Sequence, residues 1–239
     1  MPLLNIAVFA LNGFWCFLCG KHLDRSFVVK QNRLHGYLSK FFYSFTVFFV
    51  IIVFSALISQ FNLEIIALSF NVAIFFLFLG LAFFIQIPVA MKFPKLSKLS
   101  FWIFFIIGTC LAILNIFYSH NSLSVYRGWI IWDLYPPIKI ISFIASALVG
   151  IISTLFFLIG SLLIRPAYSR YRSIFLAIAS ILLAISTAFL VAKDLFLLNL
   201  SYISALFGYF MAYLGISYNI SHPYIEKEKE EKNNTSSIA

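Results

Sequence analysis

Charge is scarce in this sequence. Lys, Arg, Asp and Glu make up only 10% of the 239 residues, whereas a soluble domain carries about a quarter. Within the long apolar runs the one strong acid or base is Lys139, near the start of its run. A proton relay, a voltage sensor or an ion-coupled carrier needs ionisable groups inside the membrane, so none of these is expected. Cysteine is also rare. Cys16, Cys19 and Cys110 all fall in apolar runs, so no external disulfide framework can be built. Cys16 and Cys19 form a C-x-x-C, but no histidine or second cysteine pair stands near to complete a zinc site. They read as small apolar residues of a helix.

The catalytic signatures are missing as well. There is no H-E-x-x-H, no pair of intramembrane aspartates and no glycine-rich phosphate loop. The histidines His22, His35, His120 and His222 are scattered. No metal, no cofactor and no catalytic residue is therefore assigned. The net charge of +9 could suggest nucleic acid. The basic residues, however, sit in short clusters between apolar runs and form no single patch, so nucleic acid is not an expected partner.

What the chain has in abundance is apolar length. Hydrophobic residues make up 62% of it, more than a soluble fold of this size can hide, and the lipid bilayer is the expected solvent. Apolar runs cover 3–19, 41–63, 65–91, 99–118, 138–164, 173–192 and 195–217. A spanning helix needs about 20 apolar residues. The first run is short and is interrupted by Asn5 and Asn12. It is still read as a helix, because a leader peptide would begin with a positive segment. The expected fold is an all-α integral membrane protein of seven transmembrane helices, or six if the first run does not span. Its expected parts are a first helix over 1–20, a basic amphipathic segment over 21–40, a six-helix core over 41–218 and a disordered tail over 219–239.

Basic residues set the expected orientation. Fourteen of the 17 lie in 21–40, 92–98, 165–172 and the tail, which alternate with connections holding only Arg127, Lys139 and Lys193. The positive-inside rule puts the tail in the cytoplasm and the N-terminus outside, in the cell membrane. In 21–40, Leu23, Phe27, Leu34, Leu38 and Phe41 recur near helical spacing among basic residues, which suits a helix lying on the inner leaflet.

Helices in lipid associate by close approach, so stripes of small residues mark contact faces. Ser180, Ala184 and Ala188 form one stripe, and Ser204, Gly208 and Ala212 another. With only Lys193 and Asp194 between their runs, the two are expected to pack on each other. Ser146, Gly150 and Ser153 offer a third face. Asn71 and Asn115, in mid-run, are read as hydrogen-bonding across a helix interface.

The remaining feature is "VYRGWIIWDLYPP", residues 125–137. Tryptophan and tyrosine here suit an interfacial aromatic belt. Opposite charges also gather at this level: Glu64, His120, Arg127, Asp133, Lys139, Lys193 and Asp194. With Trp129 and Trp132 they would form an external aromatic and charged cup, a candidate ligand site. Helix number and orientation resemble the opsins, but the retinal-binding lysine of that family belongs in the middle of the last helix, whereas Lys193 lies at its outer end. Layout and length resemble the seven-helix input modules of bacterial sensor kinases, which carry an effector domain where this chain has a short polar tail. Neither likeness rests on a motif. The expected function is a sensing or binding module acting through a membrane or cytoplasmic protein partner. The alternatives are a structural accessory subunit, and a carrier or enzyme of lipids or small molecules.

Overall fold

A computed structural model describes residues 3–30, 33–58, 62–117, 122–126, 129–133, 135–163, 167–190 and 194–236. The helices are α1 (Leu3–Lys30), α2 (Arg33–Ile58), α3 (Leu63–Lys92), α4 (Ser97–Phe117), α5 (Pro136–Leu163), α6 (Ala167–Phe189) and α7 (Leu195–Ser236). A 3-10 turn, Pro94–Leu96, leads into α4. A β-hairpin, β1 (Ser122–Tyr126) and β2 (Trp129–Asp133), joins α4 to α5. All seven helices contain a segment long and apolar enough to cross a membrane. Large apolar side chains stand exposed along them, among them Ile103 and Ile113 of α4 and Ile144, Ile151 and Leu158 of α5. Water would not tolerate such a surface, and lipid does.

Consecutive helices pack side by side, except α4 and α5, and α7 returns to α1. With α3 also touching α5, the helices α1, α2, α3, α5, α6 and α7 close a ring. The helix left out is α4, which lies against α3 outside that ring. It is held there by a close approach of Gly108 to Phe78, where no side chain larger than hydrogen fits. Buried Asn115 of α4 also donates from Nδ2 to Oδ1 of buried Asn71 on α3. Each was expected to hydrogen-bond across a helix interface, and the structure makes them each other's partner; in lipid such a bond is worth about 0.6–2 kcal/mol.

The ring is filled by aromatic rings. Phe41, Phe42, Phe45, Phe48 and Phe49 recur at helical spacing on the buried face of α2, whose outward positions include Val47, Val50 and Leu57. Phe45 and Phe49 meet Tyr209 of α7 at centroid distances of 6.2 and 5.9 Å, edge to face. That arrangement puts positive ring edges on negative ring faces. The C-x-x-C lies in the same place: Cys16 and Cys19 are buried and free, and the Cys16 thiol and Tyr209 hydroxyl share a hydrogen bond. Both cysteines are contact residues between α1 and α7.

Three expectations change. The segment 21–40 is not a helix of its own, because α1 runs on to Lys30 and α2 starts at Arg33. Leu23, Leu38 and Phe41 point into the bundle, since one helical apolar period serves a protein neighbour as well as a membrane surface. Run one is, as expected, a helix long and apolar enough to span, and it is a full ring member with Phe9, Cys16 and Cys19 buried. The tail is helical to Ser236. Glu and Lys are good helix formers, and Glu228 and Lys232 stand at the favourable i, i+4 spacing.

The third change concerns the small-residue stripes: the stripe of α6 faces α5 and not the stripe of α7. A Cβ at Gly150 of α5 would meet Ala184, with the Ser180 carbonyl 3.7 Å away. Ala184 and Ala188 line the α5–α6 groove. On α7, a Cβ at Gly208 would lie 3.0 Å from Leu183, and Ser201 Oγ donates to the Ser186 carbonyl at 2.8 Å. Ser204 and Ala212 of α7 are buried. Leu183 and Ala184 are neighbours in sequence, about 100° apart around the helix, so α6 offers α5 and α7 two different sides.

Candidate functional site

At the end of the bundle that holds the start of α3 lie several of the residues expected to form the external cup. Glu64 lies exposed in the first turn of α3, where its backbone N–H donates to Asn62 Oδ1 at 3.0 Å. Asp194 caps α7: its Oδ1 accepts from the N–H groups of Phe196 and Leu197 at 2.8 and 3.1 Å. Aspartate suits this position because its carboxylate satisfies orphan donors and meets the positive end of the helix dipole. Trp129, Trp132 and Asp133 are residues of β2. His120, Arg127 and Lys193 lie outside the described residues.

The hairpin is the part that sequence reading missed. Its antiparallel register pairs Ser122 with Asp133, Leu123 with Trp132, Ser124 with Ile131, Val125 with Ile130 and Tyr126 with Trp129. The signal was present as two β-prone runs separated by two residues, the second a glycine. β1 lies against α3 and β2 against α1, so the ribbon bridges two ring helices at the end where Glu64 stands.

At the opposite end the structure shows a site with no counterpart in the sequence reading. His35, buried in the first turn of α2, sits between two partners. Its Nδ1 is 3.1 Å from Ser26 Oγ on α1, and its Nε2 is 3.1 Å from Arg172 Nη2 on α6. A guanidinium only donates, so Nε2 accepts. The ring proton then sits on Nδ1 and is donated to the serine. α2 and α6 are not neighbours in the ring, so this chain of bonds crosses its mouth.

Beside it lies a cavity of about 240 Å³. Its polar lining is His35, Arg172 and Ser173, and its apolar lining includes Leu38, Ile87, Met91, Phe157 and Leu176. Gly160 also faces it, and a Cβ there would touch nothing within 4 Å. Deeper in the bundle Phe41 of α2 and Phe84 of α3 are buried and stacked at 4.5 Å. The buried Nε of Arg172 has no acceptor among the described residues.

Arg172 was read as part of a loop. The clue was its spacing from Arg170: residues two apart on a helix point about 200° apart, so when one is exposed the other turns inward. Arg170 is the exposed one. Among the described residues, no three His, Cys, Asp or Glu side chains converge as metal ligands would.

No protein-family model matches the chain, and no curated protein matches it to significance. The fold alone therefore defines its class: a multi-pass helical membrane protein in contact with the lipid bilayer.

Proposed function

We infer that this protein is a non-catalytic membrane module that binds a ligand at its hairpin end and passes the event to a protein partner. The observation that carries this reading is the hairpin itself. A two-stranded ribbon whose second strand includes Trp129, Trp132 and Asp133 is laid across two helices of the ring. The sequence-expected acids Glu64 and Asp194 begin helices at this same end. Aromatic walls with a few charged anchors are what small-molecule sites are made of.

Transmission is supported by α7. This helix of 42 residues measures about 63 Å at 1.5 Å per residue, twice the roughly 30 Å hydrocarbon core. It starts at the hairpin end beside α1 and α6 and continues past its apolar span, Leu195–Ser217, as a charged helix. A shift at its capped start would reach its far end as one body.

The cell membrane, with the hairpin end outside, is the location that fits the basic clusters at the other end. A single cysteine at Ser122, in a background without Cys16, Cys19 and Cys110, should react with an impermeant thiol reagent in intact cells. One at Ser97 should not. Reaction at Ser97 alone would reverse the orientation.

Ligand binding is read by native mass spectrometry of the full chain purified in mild detergent. Wild type should carry a small non-lipid adduct that Asp133→Ala and Trp129→Ala reduce by about tenfold, the loss expected for one charge-assisted contact or one buried aromatic wall. Melting should move little, because the ribbon lies outside the ring. Adducts unchanged in both variants would leave the hairpin as a membrane anchor. Loss of a co-purifying protein in place of a small adduct would favour the accessory-subunit reading.

A further inference from the structure

We propose that the cavity at the end opposite the hairpin is a binding site for an anionic membrane lipid, with the lipid phosphate on Arg172 and its glycerol and first methylenes against the apolar walls. The argument starts with charge. Arg172 always carries its proton, and among the described residues its one side-chain bond goes to His35 Nε2, an acceptor that brings no negative charge to offset the cation. Among the described residues no carboxylate pairs with it, and its Nε is buried without an acceptor. A buried cation in this position is costly until an anion arrives. The guanidinium presents donors in a planar fork that matches two phosphate oxygens.

Geometry then selects lipid over a free ion. The other walls are apolar, with Leu38, Ile87, Met91, Phe157 and Leu176 among them. At roughly 30 Å³ for each water-sized group, the volume of about 240 Å³ holds a phosphate and a few methylenes, but not a whole lipid. The rest of the molecule must leave the cavity. Ring neighbours α3 and α5 touch each other least, and both contribute walls, Ile87 and Met91 from one, Phe157 and Gly160 from the other. That seam is where acyl chains can pass to the bilayer. The level also fits: His35, Met91 and Gly160 lie within the terminal turns of their helices and Arg172 within the second turn of α6, near where headgroups meet the hydrocarbon. His35 has a positioning role. By accepting from Nη2 and donating to Ser26, it holds the guanidinium across the mouth of the ring.

The test uses the full chain in mild detergent, offered phosphatidylglycerol, phosphatidylcholine of the same acyl chains, or inorganic phosphate. Retention is read by native mass spectrometry and stabilisation by melting. Wild type should keep phosphatidylglycerol over phosphatidylcholine by about tenfold or more, the equivalent of one charge-assisted contact. Arg172→Gln should remove that preference. Gly160→Leu should remove it too, by filling the cavity, while melting as wild type when no lipid is added. This second variant keeps the test decisive if Arg172→Gln folds poorly. Asp133→Ala should leave lipid retention unchanged, which separates this site from the hairpin end. Undiminished phosphatidylglycerol on Gly160→Leu, or equal retention of the two lipids by wild type, would overturn the proposal. Inorganic phosphate stabilising as strongly as the lipid would overturn it as well, and would leave a free-anion site.

Discussion

Gly150→Val should lower the melting temperature in detergent by about 6–12 °C, the shift corresponding to roughly 3 kcal/mol in a chain of this size. The cause is the contact between α5 and α6. A Cβ at position 150 overlaps the Cβ of Ala184, and the Ala184 Cα is only 3.4 Å away. An alanine Cβ has no torsion by which to move aside, so the backbones must separate. Separation also loosens the other close contacts along the seam, including those of Ser146 and Ser153, which are buried on the same face of α5. In lipid no hydrophobic exclusion compensates for lost contact, because the vacated surface is solvated equally well by acyl chains. Gly160→Val on the same helix is the control. Open space surrounds that position, so the change should cost no more than about 0.5 kcal/mol. Moving the methyl from one helix to the other, as Gly150→Ala with Ala184→Gly, should recover most of what Gly150→Ala alone loses. Equal melting of the two valine variants would show that α5 and α6 are not in this close register.

Tyr209→Ala is expected to cost about 3–5 kcal/mol, as large aromatic deletions in cores do. Tyr209 is among the largest fully buried side chains. It holds three helices at once through Phe45 and Phe49 of α2 and Cys16 of α1. Truncation would open a void at the centre of the ring, with no neighbouring chain short of its own contacts to fill it. Tyr209→Phe separates ring from hydroxyl. It removes only the bond shared with Cys16 and should cost about 0.5–1.5 kcal/mol. Cys16→Ala should then add little to Tyr209→Phe, because both changes break the same bond. Should Tyr209→Phe prove as damaging as Tyr209→Ala in denaturant or thermal melts, the hydroxyl and not the aromatic body would be the centre of this contact.

Much of this architecture is legible in the chain alone. Runs of about 20 apolar residues can only be spanning helices, and the near absence of charge within them makes the number of spans countable. The short Lys193–Asp194 connection makes α6 and α7 neighbours, as they are. Asn71 and Asn115 are conspicuous because an amide in hydrocarbon needs a partner, and each supplies the other's. The stripes of Ser180, Ala184 and Ala188 and of Ser146, Gly150 and Ser153 are visible as contact faces before any partner is known. Only the tertiary structure showed that these two stripes face each other, that α4 stands outside the ring, and that Arg172 turns inward to meet His35. In water, a helix declares its inner face by the contrast between apolar and polar sides. In lipid both sides are apolar, so that contrast is lost. The sequence determines which residues share a side, and the bearing of each side is set by close contacts with helices far away along the chain.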